Sequence, residues 1–445
     1  MIYKFNRKVF YIVFFVFSLN SFAQVDLSIM TFNIWNEGST VDNAVNKIRD
    51  AILKADPDIV GFEEVRNLNG VSWSTKITAL LAARGVNYYG KFVGGDISII
   101  SKYPILESTL LNDEANSVAA FKLDVMGRNI IAIVGHLDYT YYACYLPRGY
   151  NGGYPNWNMI DDGTGHPAPV TDINQILDYN LLAKRDEQIQ DVLNYIQDKT
   201  EPIIFMGDFN EPSHLDWTTN QANLFDHHGV IIPWHCTTTL ANNGFIDSYR
   251  TYFPDEVINP GISWPSLAHG EVSTSWTPMA DERDRIDFIF YRGDSIQTIY
   301  AALVGPRESY DHDTLTTSFT ENEYFIGDSL LWPSDHKAVF VKLRFQGITE
   351  VGYEEKKLFK FSLENNFPNP FNPQTTINWQ SPISERHTIK IFDVLGNEVS
   401  TLIDEYKTAG NYSLSFDGSN LSSGIYFYTL QSGEYRDSKK MVLLK

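Results

Sequence analysis

The sequence predicts an α/β catalytic unit followed by a small all-β sandwich domain, and three observations carry this prediction. From Leu27 to about Phe345, short apolar runs alternate with amphipathic helical segments, which is the pattern of a layered α/β domain. Beyond Gly347, apolar and polar residues alternate at strand period between Gly and Asn turns. A chain of 445 residues also exceeds one ordinary domain, so two domains are expected.

The elements of the first unit follow from the spacing of apolar residues. Apolar side chains spaced for one helical face predict helices over residues 41–52 and 177–196. The predicted strands are Leu27–Ile34, Ile59–Phe62, Ile97–Ile100, Ile130–Gly135, Ile203–Met206, Ile286–Tyr291 and Ala338–Phe345. In the second unit, alternation over 388–393 and 424–430 predicts two further strands.

The composition indicates a packed globular protein, with 43% apolar and 20% charged residues. A net charge of -20 argues against non-specific electrostatic binding of DNA, which depends on basic surface. A nuclease remains open, because a local basic groove can exist within an acidic total.

The N-terminus has the pattern of a signal peptide over residues 1–23. A basic stretch precedes the apolar run Val9–Leu19, and Ser21-Phe22-Ala23 is a small-residue cleavage pattern. The run is shorter than the roughly 20 residues that span a membrane, so an anchor is the weaker alternative. In an exported protein, Cys144 and Cys236 either form one disulfide or remain two buried thiols.

Polar residues follow most of the predicted strands, and strand ends are where active sites assemble. Directly after one strand, Gly207-Asp208-Phe209-Asn210 presents a carboxylate and an amide together. The carboxylate can deprotonate a water for attack, and the amide can donate to a phosphoryl oxygen. An Asx turn that caps a strand is the alternative interpretation.

Two more segments place acidic residues where a titratable partner is needed. Ser334-Asp335-His336 precedes a strand and pairs a metal-competent carboxylate with an imidazole. In Arg285-Ile286-Asp287, the carboxylate lies at an inward-facing strand position, where it needs a partner. The simplest partner is a histidine whose tautomer the carboxylate fixes.

Residues 25–346 resemble the endonuclease/exonuclease/phosphatase superfamily, which has a DNase I-like four-layer α/β sandwich fold. The segments that carry the resemblance keep the order and spacing of the family, although each is common alone. They are Thr31-Phe32-Asn33, Gly61-Phe62-Glu63-Glu64-Val65, Gly135-His136-Leu137, Gly207-Asp208-Phe209-Asn210, Arg285-Ile286-Asp287 and Ser334-Asp335-His336. The resemblance implies a catalytic domain over residues 24–346.

The resemblance also implies roles for these positions. Asn33, Glu64 and Asp335 are expected to form the metal site, with Glu64 as the principal ligand. Oxygen ligands favour Mg²⁺, with Mn²⁺ or Ca²⁺ as alternatives. The expected catalytic residues have the following roles: Asp208 activates water, Asn210 holds the phosphoryl group, His336 is oriented by Asp287, and His136 protonates the leaving group.

Two departures from the family pattern and one loop bear on the substrate. Glu63 stands where Gln is frequent, and Asp96 stands where Gly or Asn is usual. Either is a neutral surface change, or Asp96 bonds His136 or substrate. Residues 139–157 are rich in Tyr and Trp, which either stack on substrate or pack together as a small core. Candidate substrate-binding residues are Asp96, Tyr139, Arg185 and Trp276.

Residues 363–445 resemble the type A sorting domain of the type IX secretion system, after a linker over 347–362. The resemblance lies in Asn366-Phe367-Pro368-Asn369-Pro370-Phe371-Asn372-Pro373, Ile391-Phe392-Asp393-Val394-Leu395-Gly396 and Ser423-Gly424-Ile425-Tyr426. It implies the type IX machinery as a partner, passage through the periplasm, and a secreted or cell-surface location. An adhesive or carbohydrate-binding sandwich is the alternative.

These features together predict a secreted metal-dependent hydrolase of phosphate esters. A phosphodiesterase is expected, acting on nucleic acid, a phospholipid headgroup or a sugar phosphate, and the protein is expected to be a monomer. A phosphomonoesterase is the next alternative. A glycan-active hydrolase or a binding protein on the same fold is the alternative of another class.

Overall fold

The computed structural model describes the chain from residue 24 onward with short gaps. The described residues are 24–112, 117–153, 157–270, 273–317, 323–346, 361–381, 385–407, 410–433 and 435–445. The predicted signal peptide and residues 347–360 of the predicted linker lie outside them. None of the helices in these ranges combines the length and apolar character needed to cross a membrane.

Two mixed sheets form the centre of the first unit, and all seven predicted strands lie in them. In spatial order, the described strands of the first sheet are Phe325–Ile326, Ile296–Val304, Ala338–Phe345, Val25–Asn33, Ile59–Glu63, Ile97–Ser101 and Tyr89–Lys91. Those of the second sheet are Ile105–Asn112, Val118–Val125, Arg128–His136, Ile203–Asp208, Asp287–Arg292 and Ile246–Asp247.

The two sheets pack face to face, because their central strands alternate between two buried faces. In Val25–Asn33, Leu27 and Ile29 point into the core between the sheets, whereas Met30 and Phe32 point toward helices. In Ile203–Asp208, the side chains alternate in the same way between the inner core and a helical layer. Both faces of each sheet are therefore apolar, as strands buried on both sides require.

Helices cover the outer face of each sheet, which confirms the predicted four-layer α/β sandwich. Helices Ala44–Ala55 and Trp73–Ala82 pack on the first sheet, and helices Arg185–Ile196 and His235–Asn242 pack on the second. Ser72 caps one of them by accepting a hydrogen bond from the backbone N–H of Thr75. Helices Ile173–Asn180 and Ser248–Tyr252 complete the described helices of this unit.

The single helix predicted over residues 177–196 is wrong, because the chain forms two helices with a break at residues 181–184. Leu181 and Leu182 are 49% and 56% exposed, so they do not extend the apolar face. The backbone N–H of Lys184 donates to Asp138 Oδ2 at 2.9 Å, a tertiary contact that fixes the break. Tertiary hydrogen bonding here overrides the local helical period.

The aromatic residues of loop 139–157 mostly pack together, as one of the two interpretations of this loop expected. Tyr142, Tyr145 and Tyr150 are buried in a cluster with Trp217, Trp234 and Trp264. Tyr139 and Trp157 are partly buried against the same cluster, and Tyr154 lies outside the described residues. This cluster lies beside the strand ends that carry the candidate site residues.

Cys144 and Cys236 are two buried free thiols. Cys144 belongs to the aromatic cluster, whereas Cys236 packs under the second sheet with the helices. The thiols therefore occupy separate hydrophobic clusters, and the disulfide interpretation is not supported.

The second unit is the predicted all-β sandwich. One described sheet contains Ser362–Leu363, Gln374–Ser381 and Gly410–Asp417, and the other contains Glu398–Lys407, Glu385–Phe392, Gly424–Ser432 and Tyr435–Leu443. Its core includes Trp379, Ile389 and Tyr428, which are almost fully buried. Every pairing within the two sheets is antiparallel.

Candidate active site

The site residues are the last inward-facing positions of the strands that meet at one end of the sandwich. His136 pairs with Asp208 in the parallel ladder of the second sheet, and Asp287 pairs with Asp208 on the other side. In the first sheet, Asn33 pairs with Glu63. The apolar alternation that builds the inner core therefore ends in polar side chains that face one another across the sheets.

A glycine brings two of these strands into close contact just before the site. Gly207 has φ 151°, and a Cβ there would lie 1.8 Å from the carbonyl oxygen of Gly135. Only glycine tolerates that approach without moving the backbone. The close pairing of Gly135 with Gly207 fixes the register of the two strands, which places His136 directly opposite Asp208.

The Asp208 carboxylate lies at the centre of the site. Its Oδ2 accepts a hydrogen bond from Asn33 Nδ2 at 2.9 Å, which links the two sheets. The same oxygen lies 3.7 Å from Nε2 of His136 and 3.7 Å from Nε2 of His336. Its Oδ1 accepts from the backbone N–H of Asn210 at 2.9 Å. The carboxylate is therefore held in one orientation between two imidazoles.

Each of the two histidines binds a carboxylate through its other ring nitrogen. His136 Nδ1 lies 2.6 Å from Asp96 Oδ2, and His336 Nδ1 lies 2.9 Å from Asp287 Oδ2. Both pairs are buried. A carboxylate that accepts from Nδ1–H fixes the ring with Nε2 facing the centre of the site, where Nε2 accepts a proton in the neutral ring and donates one in the imidazolium. The structure therefore contains the expected contact between Asp287 and His336. It also contains the Asp96–His136 contact that was one of the two interpretations of Asp96.

Burial and mutual charge shift the pKa values of these groups. Burial disfavours the charged form of His136, but the charge and hydrogen bond of Asp96 outweigh it and raise the pKa to about 9. The pKa of His336 is likewise raised, against the effect of burial, by Asp287 and Asp208. Burial raises the pKa of Asp208 to about 6, although both histidines oppose the shift. In both rings the neighbouring carboxylates therefore favour the protonated form against the effect of burial.

The residues expected to bind metal converge beside this centre. Asn33 Nδ2 lies 3.3 Å from Glu64 Oε1, and Glu64 Oε2 accepts from the backbone N–H of Asn36 at 2.8 Å. Asp335 is buried, and burial together with the charge of Glu64 raises its pKa to about 7. Glu64 therefore lies beside Asn33 and within electrostatic reach of Asp335.

This donor set fits a divalent cation. Asp208, Glu64 and Asp335 are carboxylates gathered in one partly buried space, and their mutual repulsion is the condition that a bound dication relieves. Oxygen donors suit Mg²⁺, Mn²⁺ or Ca²⁺. Asp208, Asp287 and His336 also lie within 4.8 Å of one another, but Nδ1 of His336 is taken by Asp287. The Nε2 atom of His336 remains available, so this group is a second ligand candidate beside Glu64, Asn33 and Asp335, the metal site that the resemblance implies.

Asn210 is held at the edge of the site by its own polar contacts. Its Nδ2 donates to the carbonyl of Leu137 at 2.9 Å, and its Oδ1 accepts from the hydroxyl of Tyr142 at 2.9 Å. Because Oδ1 is taken by a donor, the amide nitrogen faces away from the tyrosine with a fixed geometry. The second N–H of that amide is the one that could donate to a substrate oxygen.

Of the four residues predicted to bind substrate, one is placed for another purpose. Arg185 is buried, and its guanidinium donates to the carbonyls of Asp138, Thr140 and Tyr141, so it holds the loop after the His136 strand. Asp96 bonds His136. Tyr139 is partly buried in the aromatic cluster, and Trp276 is 39% exposed beside that cluster.

Several neighbours of the site were not predicted from the sequence. Arg66 contacts Glu64 Oε2 at 3.3 Å and Asp96 Oδ2 at 3.6 Å. Ser334 donates to the backbone carbonyl of Asn33 at 2.7 Å, which ties the two predicted segments together. Tyr142 and Glu63 also escaped prediction as site neighbours. The position of Arg66 two residues after the expected metal ligand was the one available signal.

Glu63 is a buried acid rather than a surface substitution. Its Oε1 accepts from Thr31 Oγ1 at 2.7 Å, and its Oε2 has no hydrogen-bond partner among the described residues. Burial raises its pKa well above the usual value. A protonated Glu63 presents one hydroxyl donor and one carbonyl acceptor, which resembles the amide that is frequent at this position.

A family model described as the Endonuclease/Exonuclease/phosphatase family matches residues 30–336. The match spans more than half of the chain and every residue of the candidate site. The chain belongs to the endonuclease/exonuclease/phosphatase family. Hydrolysis of phosphate esters is the reaction that this family's nucleases and phosphatases share, which supports the coarse prediction of a phosphate-ester hydrolase.

Several individual proteins are similar to this member of the family. An uncharacterised protein of Caenorhabditis elegans is 29% identical over 325 residues, which cover 72% of this chain and 91% of the relative. The catalytic domain of human Nocturnin is 16% identical with a TM-score of 0.40, covering 73% of this chain and 97% of that one. A Bacteroides thetaiotaomicron mannosyl-6-phosphatase is 17% identical with a TM-score of 0.35, covering 71% and 99%.

A second family model, described as a Secretion system C-terminal sorting domain, matches residues 365–444. This confirms the predicted sorting domain. It also confirms the predicted destination at the cell surface or outside the cell, through the type IX system. The adhesive sandwich considered as an alternative is not supported.

Proposed function

We propose that the protein is a Mg²⁺-dependent phosphodiesterase that cleaves its substrate by direct in-line attack of water. The observation that carries the proposal is the arrangement around Asp208. One buried carboxylate, held by Asn33 at 2.9 Å, faces two imidazoles at 3.7 Å, and each imidazole is bound to a carboxylate of its own. This is a base beside two oriented proton donors.

Asp208 is suited to accept the proton of the attacking water. Its raised pKa of about 6 leaves it ionised at neutral pH and still basic enough to take a proton in the transition state. Asn33 and the backbone N–H of Asn210 hold its two oxygens, so the carboxylate needs little reorganisation when the reaction begins.

The two histidines are suited to stabilise negative charge and to protonate the leaving group. The pKa of His136 is raised to about 9, which makes it a cationic donor at neutral pH, and Asp287 and Asp208 raise the pKa of His336 and favour its cationic form. His336 lies beside Asp208 and Asn33, and we assign it to the phosphoryl oxygens. His136 is assigned to the leaving oxygen, which its Nε2 proton would neutralise as the ester bond breaks.

Glu64, Asn33 and Asp335 are the residues that would hold the metal. A bound Mg²⁺ would supply Lewis-acid stabilisation of the phosphoryl oxygens. The chain itself contributes the ligand geometry: the backbone N–H of Asn36 fixes Glu64, and Ser334 fixes the backbone at Asn33. Side chains around the metal position are thus held before substrate binds.

The charge of the site favours a diester over a monoester. Asp208, Glu64 and Asp335 contribute acidic groups, and the nearby cations are the two imidazoles and Arg66. A phosphodiester has one negative charge, whereas a monoester has up to two at neutral pH. The second negative charge of a monoester would be repelled by these carboxylates. A phosphomonoesterase therefore remains the second candidate.

The test compares two chromogenic esters on the full protein. We expect hydrolysis of bis(4-nitrophenyl) phosphate to exceed that of 4-nitrophenyl phosphate, to stop with EDTA and to return with Mg²⁺. Asp208→Asn and His336→Ala should each lower kcat by about 100-fold or more, because each removes a proton-transfer or charge-stabilising group. Circular dichroism should show an unchanged fold.

A matched control is Asp328→Asn, which changes an exposed carboxylate that pairs with Arg307 and contacts none of the site residues described above; this change should leave kcat unchanged. A folded His336→Ala protein with full activity would contradict the assignment. Inactivity on DNA, RNA, sphingomyelin and phosphoinositides as well as on both aryl esters, with activity on a glycoside, would replace the proposal by the glycan-active alternative.

A further inference from the structure

A series of aromatic side chains begins at Asn210 of the candidate site. The hydroxyl of Tyr142 donates to Asn210 Oδ1, and the Tyr142 ring lies 5.9 Å from the ring of Trp157. Trp157 in turn stacks on Trp276, with centroids 4.9 Å apart and an interplanar angle of 30°. Trp157 and Trp276, called the aromatic platform below, are thus two and three contacts away from the phosphoryl-binding amide.

The same series returns to the site at its other side. Trp276 lies 5.3 Å from Trp264 in an edge-on arrangement, and Trp264 lies 6.5 Å from the ring of His336. Trp264 is buried, so it forms the base on which Trp276 rests. The aromatic platform is therefore bracketed by Asn210 and His336, the two groups assigned to the phosphoryl oxygens.

A buried carboxylate anchors the platform at its backbone. Glu282 is almost fully buried and accepts from the backbone N–H of Trp276 at 2.8 Å. It also accepts from the hydroxyls of Thr277 at 2.8 Å and Tyr145 at 3.0 Å. A carboxylate withdrawn from water is stable only with such donors. The network holds the backbone of Trp276 in place while leaving 39% of the residue exposed.

Three buried arginines of the first unit are committed to internal pairs. Arg148, Arg283 and Arg285 are buried, and each binds a buried aspartate within 3 Å. These cations therefore do not form an exposed basic track along which a polyanion could bind. Trp276, by contrast, is 39% exposed and carries an apolar, uncharged indole.

We propose that the aromatic platform binds a ring in the organic group esterified to the phosphate, either a nucleobase or a sugar. This inference rests on the proposed phosphoesterase function. A base stacks its π face on an indole, and a pyranose packs its C–H face there, so both ligands have the same recognition chemistry. The phosphate would lie at Asn210 and His336, with its ring over Trp276. The substrate is then a small or terminal ester rather than an internal segment of a duplex.

The test measures how ring-bearing and ring-free phosphates compete with bis(4-nitrophenyl) phosphate. The competitors are inorganic phosphate, glucose 6-phosphate and adenosine 5′-monophosphate. In the wild-type protein, at least one ring-bearing competitor should bind more tightly than inorganic phosphate. Trp276→Ala should raise the inhibition constant of that competitor about tenfold, which is the size of one stacking contact. The inhibition constant of inorganic phosphate should change less than about twofold. Trp276→Phe should retain most of the affinity.

The matched control is Tyr324→Ala, which removes an aromatic side chain of similar exposure, 45%, packed against Tyr252 and Tyr300 instead of the site. It should leave the relative inhibition constants of the three competitors unchanged. Selective loss for the nucleotide identifies a base, and selective loss for the hexose phosphate identifies a sugar. If Trp276→Ala weakens the binding of all three competitors equally, or of none, the aromatic platform does not bind the ring and the proposal is wrong.

A direct binding measurement separates failure of the platform from failure of the proposed function. Titration of the wild-type and Trp276→Phe proteins with the same phosphates, followed by tryptophan fluorescence, does not depend on turnover. A ring-bearing phosphate that quenches the wild type but not the Trp276→Phe protein supports the platform even if no phosphate ester is hydrolysed. Hydrolysis with no ring-dependent binding overturns the platform and leaves the proposed function standing.

Discussion

At the scale of single residues, the two histidines of the candidate site differ from solvent-exposed histidines because each is bound to a buried carboxylate. Asp96 lies 2.6 Å from His136, and Asp287 lies 2.9 Å from His336. Burial alone would lower the pKa of each ring, so the paired carboxylate decides the charge of the histidine. Removing one carboxylate should therefore lower the pKa of its paired histidine while the imidazole stays in place.

The prediction concerns Asp96→Asn and the alkaline limb of the pH–rate profile. The raised pKa of about 9 keeps His136 protonated up to that pH, and activity that needs the proton should fall as pH rises through it. Without the charge of Asp96, burial draws the pKa back toward or below its usual value of 6.5. The alkaline limb of kcat should therefore move to lower pH, measured with saturating substrate and Mg²⁺.

Asp311→Asn is the control for that measurement, since it alters another histidine–aspartate pair. His312 Nδ1 lies 2.6 Å from Asp311 Oδ1, and His312 is half-exposed. This change should leave the activity profile where it is. An alkaline limb that does not move in a folded Asp96→Asn protein would show that His136 is not the group whose proton is needed.

At the scale of elements, the site depends on how closely strands Arg128–His136 and Ile203–Asp208 pair. Gly207 lies at a φ that other residues rarely adopt, and a Cβ would lie 1.8 Å from the backbone oxygen of Gly135. A backbone atom cannot yield as a flexible side chain can. The strand ends, and with them His136 and Asp208, would have to separate.

Gly207→Ala should therefore destabilise the protein by about 3 kcal/mol or more, through backbone displacement in addition to the strained φ. Gly244→Ala isolates the second effect, because Gly244 has φ 80° with open space where its Cβ would lie. It should cost only about 1 kcal/mol. Urea unfolding followed by circular dichroism gives both values. Equal losses in the two variants would contradict the close-pairing argument.

At the scale of the whole molecule, the two units have separate hydrophobic cores. The clusters that include residues of the two mixed sheets contain no member from the C-terminal sandwich, whose own core runs from Leu363 to Leu443 in the described residues. Every candidate site residue lies between Asn33 and His336. We therefore propose residues 24–346 as the catalytic domain and residues 363–445 as the sorting domain.

A protein that ends at Gln346 should consequently fold and retain the full activity of the longer chain. The strand Ala338–Phe345 is paired on both sides within the first sheet, so the cut leaves its ladder intact. Thermal unfolding and kcat on bis(4-nitrophenyl) phosphate, compared with the full protein, provide the measurement. A shortened protein that unfolds at a much lower temperature would show that the C-terminal unit supports the catalytic one.

The sequence by itself determined the strands and the site residues that follow them. Short apolar runs predict strands Leu27–Ile34 and Ile203–Met206, observed as Val25–Asn33 and Ile203–Asp208, because burial on both faces leaves a nearly continuous apolar sequence. The resemblance in six short segments then gave Asn33, Glu64, His136, Asp208, Asp287 and His336, which the structure brings to one end of the sandwich. The need of a buried carboxylate for a partner predicted that Asp287 binds a histidine, and the resemblance implied that this histidine is His336.

Only the tertiary structure decided which residues meet across long separations in the chain. Tyr142 meets Asn210, Arg66 meets Asp96, and Trp157 stacks on Trp276. No local period encodes these contacts. Arg185 shows the same limit, since its charge predicted a phosphate contact but the fold buries it among loop carbonyls. Local patterns record which face of an element is buried, whereas the partner on that face depends on how the loops return to the sheet ends.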